Sequence, residues 1–392
     1  MSTPTPLRVV IATRIFTPEP SAASFMLEAI ATAFAAEGHQ VTVLTTTPPR
    51  GLAPTELPGV TVRRTWALRD RQGYLRGYVP YMTFDIPLFF RLLFTRRADV
   101  YLVEPPPTTG AVVRVATAIL RRPYVYDAAD LWSDAAQLVT SSRLVLSVLR
   151  AVEVFAIRGA GLALAISDGL IDRMRELDIQ TPATPIGFGV DTAAFRYEAP
   201  AVAVQPYFLY AGSYSEWHGA GVFLEAFAEF TATTPGHRLI FIGNGSDRPR
   251  LEARRDELGL QGSVEFRDPV TPDLLNPLLV SATASLASLR PGKGYDYAFT
   301  TKVYSSIAAG CPVIFSGVGP TVEFMNSPEA PSAIGDAVAY DVDAVVGMMN
   351  RHAAHGASAG DREHLAAWAR ERYSLDAIAR GVVRAAVDIA TA

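Results

Sequence analysis

"LRVVIATRIFTPEPSAASFMLEAIATAFAAEGHQVTVLTT", residues 7–46, decides the fold. Residues 7–13 form a continuous, β-branched apolar run closed by turn residues, the pattern of a strand buried on both faces of a parallel sheet. Residues 23–39 read as a helix that ends at Gly38. Residues 40–46 are the next strand. Strand, helix and strand in so short a stretch make a βαβ unit, which predicts a doubly wound α/β sheet.

The same grammar runs outward from there. Apolar runs at 98–106, 122–130 and 161–167 continue the strand series, and 143–160 fits a helix between them. The stretch 185–206 is rich in Gly, Pro and Ala, has no long period and reads as a connector. Beyond it, runs at 207–212, 237–245, 263–268, 282–289 and 311–317 alternate with helices at 219–232 and 247–258, and 361–390 is helical. The expectation is α/β: two Rossmann-like doubly wound domains facing a cleft. The first spans 1–188 and the second 207–372, joined by 189–206. Residues 373–392 form a terminal helix for which a return to the first domain is one option.

The 392 residues suit two domains of ordinary size, and 49% hydrophobic with 19% charged residues describes a compact chain. A net charge of −4 gives no general attraction to nucleic acid. One cysteine, Cys311, excludes an internal disulfide and a cysteine metal cluster. No leader pattern is legible and no run reaches the roughly 20 apolar residues of a spanning helix, so a cytoplasmic protein is expected.

In open α/β sheets ligands bind beyond the carboxyl ends of strands, so the residues just after each strand are the candidates. The loop 13–24, which contains Arg14, leads to a helix start with small residues; it is either an anion-holding loop or an ordinary connection. Asp130 and Asp134 follow another strand with Trp132 between them. Asp130 either bonds a sugar hydroxyl or caps a helix, and Trp132 either packs on a sugar face or joins the core. In the second half, Gly212, Ser213 and Gly219 lie in one loop after a strand, and Gly243 and Asn244 in another. Two such glycine loops in register suit close approach of a phosphate or ribose. The chain has only two lysines, Lys293 and Lys302, against 33 arginines. Thr301 and Lys302 sit near a helix start ahead of the strand 311–317, where an ammonium suits a diphosphate; the plain alternative is a solvated side chain. Asp341 and Asp343 form a D-x-D that lies far from any strand end and reads as a chance match, and His39 reads as structural. No metal-ligand spacing exists.

Taken together, these residues resemble the retaining GT-B glycosyltransferases of family four over nearly the whole chain. The likeness rests on "AFAAEGHQVTVLT", "YDAADLWSDAA", "LAISDGLIDRM", "IGFGVDTAAF", "YAGSYSEWHGAGVFLEAF", "FIGNGSDRPRLE" and "TTKVYSSIAAGCPVIFSG", in that order. The resemblance implies a nucleotide-sugar donor on the second domain, a hydroxyl acceptor on the first, retained anomeric configuration, and no metal or other cofactor. It implies that Asp130 lies near the reacting sugar, that Ser21 and Ala22 face the diphosphate, and that Lys302 stabilises the leaving group. Arg14 and Trp132 are the acceptor candidates. The sequence also departs from the family. Ser213 and His218 stand where it often has Arg and Lys, and Tyr297 and Ser305 where it has paired glutamates. Lys302, Arg290 and His218 are then left to carry the positive charge, and Asp296 to replace a lost acid.

The segment 74–100 combines Phe84, Phe89, Phe90 and Phe94 with Arg91, Arg96 and Arg97. It is either a core helix with a basic end or a surface for an anionic membrane, which would favour a lipid-linked acceptor and a peripheral place at the inner membrane face. Two rival classes share this architecture: a nucleotide-sugar epimerase or hydrolase, and a non-catalytic nucleotide-binding homologue.

Overall fold

The computed structural model describes residues 6–19, 21–54, 56–70, 75, 78–138, 140–198, 205–292 and 295–391. It divides into two compact units, 1–187 with 375–392, and 188–374.

In the first unit the chain runs β1 (Arg8–Ala12), α1 (Ala22–Ala36), β2 (Gln40–Thr46), β3 (Val60–Thr65), α2 (Tyr78–Phe94), β4 (Val100–Val103), α3 (Pro107–Leu120), β5 (Tyr124–Ala128), α4 (Trp132–Ala135), α5 (Arg143–Arg158), β6 (Leu162–Ala165), α6 (Asp168–Glu176) and β7 (Ala183–Pro185). The strands are parallel in the order β3-β2-β1-β4-β5-β6-β7. Val9 of β1 stands opposite Val41 of β2 on one side and Val100 of β4 on the other. Here the order reverses, and the loops after β1 and β4 leave the same edge at the reversal.

The second unit runs β8 (Tyr207–Ala211), α7 (Gly221–Thr233), β9 (Arg238–Ile242), α8 (Arg248–Glu257), β10 (Val264–Arg267), α9 (Pro272–Ser281), β11 (Ala284–Leu289), α10 (Lys302–Ala308), β12 (Val313–Gly317), α11 (Pro320–Met325), β13 (Gly335–Val338), α12 (Val342–Ala354) and α13 (Ala359–Tyr373). Its parallel order is β10-β9-β8-β11-β12-β13, so the reversal lies between β8 and β11. Both faces of β8 are buried: Phe208 and Tyr210 join one core with Phe223, Phe227 and Phe241, while Leu209 joins another with Ile240 and Leu279. That two-sided burial is why these strands read as unbroken apolar runs.

Two parts differ from the sequence expectation. Residues 188–198, read as connector, pack on the second unit: Val190 bridges Ser374, and Phe188, Phe195 and Tyr197 line its cores. Second, β3, β7 and β13 were absent from the expected series. β3 alternates exposed and half-buried residues at a sheet edge, and β7 has only 3 residues, so neither shows a continuous apolar run. The terminal helix expected over 373–392 is α14 (Leu375–Thr391), which follows the extended backbone of Ser374 at ψ 149°. It packs Ile378, Val382 and Val383 beside Leu27, Ile30 and Phe34 of α1 in the first unit's core, the return that was one option. Among the described residues no helix is long and apolar enough to cross a membrane.

Candidate active site

In the second unit the strand ends converge on Lys302. Gly212 and Gly243 follow β8 and β9 with φ of 143° and 144°, a region that favours glycine. A Cβ on Gly243 would stand 1.9 Å from the Gly212 carbonyl oxygen, so the two loops touch backbone to backbone. A Cβ on Gly212 would stand 3.1 Å from the Lys302 ammonium. Lys302 thus lies across the glycine loop at the reversal of strand order. Its Nζ donates to the Tyr210 hydroxyl at 2.7 Å, and that hydroxyl donates to the Ser213 carbonyl at 3.0 Å. Among the described residues no carboxylate pairs with Lys302. Burial pushes its ammonium down to about 7.

The rest of the loop is tied down. The Tyr340 hydroxyl donates to the Gly219 carbonyl at 2.7 Å, and Gly219, at φ 65°, leaves no room for a Cβ there. Trp217 accepts from the Arg290 backbone N–H at 2.7 Å, which holds the loop after β8 against the end of β11. Its ring stacks on Tyr295 at 5.3 Å.

In the first unit the reversal carries a group of carboxyls and one guanidinium. The Thr13 hydroxyl, after β1, lies 3.1 Å from Glu104 Oε2, after β4. Burial pushes the Glu104 carboxyl up to about 8, against the pull of Arg14. Asp127, at the end of β5, rises to about 7 through burial and the nearby Asp130. Asp130 is exposed at its surface yet crowded by protein, and lost hydration raises it to about 6. Arg14 is only 3% exposed and sits 3.9 Å over the Tyr81 ring, with Trp132 at 5.8 Å. Its Nε and Nη1 have no hydrogen-bond partner among the described residues.

Two family descriptions match the chain: "Glycosyl transferase 4-like domain" over residues 22–189 and "Glycosyl transferases group 1" over 205–347. The chain belongs to the GT-B glycosyltransferases. Among solved structures it is similar to sucrose-phosphate synthase from Thermosynechococcus elongatus, with TM-score 0.73 at 17% identity over 98% of this chain and 99% of that one. It is also similar to Anabaena HepE in complex with UDP, with TM-score 0.71 at 15% identity over 97% of this chain and 100% of that one. Among curated proteins, D-inositol 3-phosphate glycosyltransferase from Acidothermus cellulolyticus is 29% identical over 148 residues. That match covers 33% of this chain and only 32% of the relative's length.

Gly212, Ser213, Gly219, Gly243 and Lys302 come together at one strand edge of the second unit. His218 does not supply the expected positive charge. Burial, and then the Lys302 ammonium, push its imidazole down to about 3, so it is neutral; its Nδ1 is buried without a partner among the described residues. Asp296 accepts from the Gly292 N–H at 3.0 Å within its own exposed loop. The Ser305 hydroxyl donates to the Lys302 carbonyl at 2.9 Å, back along α10. Thr301 precedes α10 without a side-chain cap bond. Asn244 accepts from the Gly245 N–H at 2.8 Å and shapes the second glycine loop. Ser21 caps α1, accepting from the Ser24 N–H at 3.1 Å, and Ala22 begins that helix. Asp130 is not the cap of α4. Buried Glu153 does that work, accepting from the Trp132 and Ser133 N–H groups at 2.6 and 3.1 Å. Asp134 is structural, held by Arg173 at 2.7 Å and Arg150 at 3.2 Å. Asp341 caps α12 and His39 accepts from the Leu7 N–H, so both are structural too. Lys293 lies outside the described residues.

Sequence reasoning missed Tyr210, Tyr340, Glu104 and Asp127. Glu104 and Asp127 had a usable signal, since each is an acid at a strand's carboxyl end. Tyr210 reads as one more core aromatic.

Proposed function

We propose that the protein transfers a sugar from a nucleoside diphosphate sugar to a hydroxyl acceptor, with retention and without a bound metal. The observation that carries this reading is Lys302. It is a partly buried cation with no carboxylate partner among the described residues, set against a glycine loop where the strand order reverses. A diphosphate is the ligand that relieves it. As the bond from the anomeric carbon to the diphosphate oxygen breaks, charge grows on that oxygen, and a fixed ammonium stabilises the change without reorganising. Exposed Arg290 at the end of β11 adds charge at the same edge. The bound UDP of the similar HepE structure supports a uridine donor as the first to try.

The first unit takes the acceptor in this reading. Arg14 offers two N–H groups without partners among the described residues, Tyr81 and Trp132 give apolar walls, and Asp130, ionised at neutral pH, accepts from an acceptor hydroxyl. The product is a glycan, glycolipid or glycosylated metabolite.

The reading is tested by thermal melting with UDP, GDP, dTDP and CMP in the presence of a chelator. A ligand that binds only the native state stabilises it by about 2.7 kcal/mol at a hundredfold excess over Kd. One diphosphate is expected to raise the melting temperature, and CMP to do so least. No rise with any of them counts against a donor site.

A further inference from the structure

We propose that the outer face of α2 and the loop after β3 dock the first unit on an anionic lipid bilayer. One face of α2 carries Phe84, Leu88 and Leu92 into the core. The other face presents Met82, Ile86, Phe90 and Phe94 to solvent at helical spacing, with Phe94 84% exposed. The helix cannot roll to hide them. Buried Asp85 accepts from the Thr108 and Thr109 hydroxyls of α3, each at 2.6 Å, and fixes the rotation of α2 on its neighbour. The loop after β3 lies beside it, because the Leu68 N–H donates to the Thr83 hydroxyl at 2.9 Å. That loop adds Trp66, 67% exposed. Neighbouring α3 and α5 continue the pattern with exposed Ile119, Leu144 and Val148. Isolated exposed apolar side chains are ordinary, but four repeated along one helix face with a tryptophan on the adjoining loop mark a docking surface.

Charge selects the occupant. The chain is net negative and most of its surface arginines are paired, such as Arg69 with Glu19 and Arg254 with Glu225. Arg96 and Arg97, directly beyond Phe94, and Arg63 form no ion pair among the described residues. Arg91 lies close enough to Arg63 to feel its charge, and its Nη2 donates to the Arg63 carbonyl at 2.8 Å. An apolar ridge with Trp and Phe, edged by uncompensated arginines, matches the headgroup boundary of an anionic membrane: aromatics enter the acyl edge and guanidinium groups meet phosphates. A second copy of this chain would set arginines against arginines. This inference stands independently of the donor site.

The test is flotation of the full chain with vesicles of phosphatidylcholine alone and of phosphatidylcholine with phosphatidylglycerol. The protein is expected to float with the anionic vesicles, less so in high salt, and with a blue shift in Trp66 emission that Trp66→Phe removes. The double variants Phe90→Ser/Phe94→Ser and Arg96→Glu/Arg97→Glu are each expected to lower the bound fraction by at least about tenfold with unchanged melting. The arginine pair is a surface change and keeps the test sound if the phenylalanine pair folds poorly. Absence of flotation, or flotation that neither variant alters, overturns the proposal. So does a stable dimer that Phe94→Ser dissolves in protein that ignores vesicles.

Discussion

A Lys302→Met protein is expected to lose nucleoside diphosphate binding and at least about a hundredfold in transfer rate, yet to melt no lower than the parent. The two halves of this result have one cause. The native fold holds the ammonium in a poorly hydrated place with a tyrosine hydroxyl as its partner and no carboxylate among the described residues. Its value is pushed from 10.5 to about 7, so the folded state binds its proton less well than the unfolded chain does. The resulting cost is fully present below pH 7 and fades as pH rises toward 10.5. Methionine removes that cost, and the melting gain over the parent is therefore larger at pH 6.5 than at pH 10. A methionine variant that melts lower and still binds donor would mean that Lys302 is a packing residue.

The second large effect is expected at Asp130. An Asp130→Asn protein should bind nucleoside diphosphate like the parent, because that site is built in the other unit, while its turnover falls by about a hundredfold. Asparagine keeps the shape and removes the ability to accept a proton. The parent's turnover is expected to rise with pH through about 6 as the carboxyl ionises, and the variant to lack that limb. Stability should not suffer. A carboxyl raised above its unfolded value is a group whose ionisation the fold resists, so the neutral amide is tolerated. Turnover within twofold of the parent, with the acid limb intact, would move the proton-accepting role to Asp127 or Glu104.

Much of the architecture was legible because buried parallel strands write themselves as unbroken apolar runs, as β1, β2 and β8 do. The edges were not. β3 is half-exposed and β13 opens on Gly335, and neither carries that signature. The terminal helix was legible to within two residues: it was expected from 373 and begins at Leu375, after the extended backbone of Ser374. At the site, Lys302 stood out as one of two lysines, and the glycines stood out by their place after strands. Their meeting was not legible. Gly212, Gly243, Tyr210 and Lys302 come together only through the pairing of β8 with β9 and β11. The neutrality of His218 likewise follows from burial near another cation, which composition does not record.

Proton-linked calorimetry reads the charge that Lys302 gains when a diphosphate arrives. Binding of the nucleoside diphosphate found by melting would be measured at pH 8.5 in two buffers of different ionisation heat. Free Lys302 is then largely neutral, and a bound diphosphate restores its charge, so uptake approaching about one proton per ligand is predicted, and none in Lys302→Met. Tight binding with no proton uptake would mean that the diphosphate does not meet Lys302.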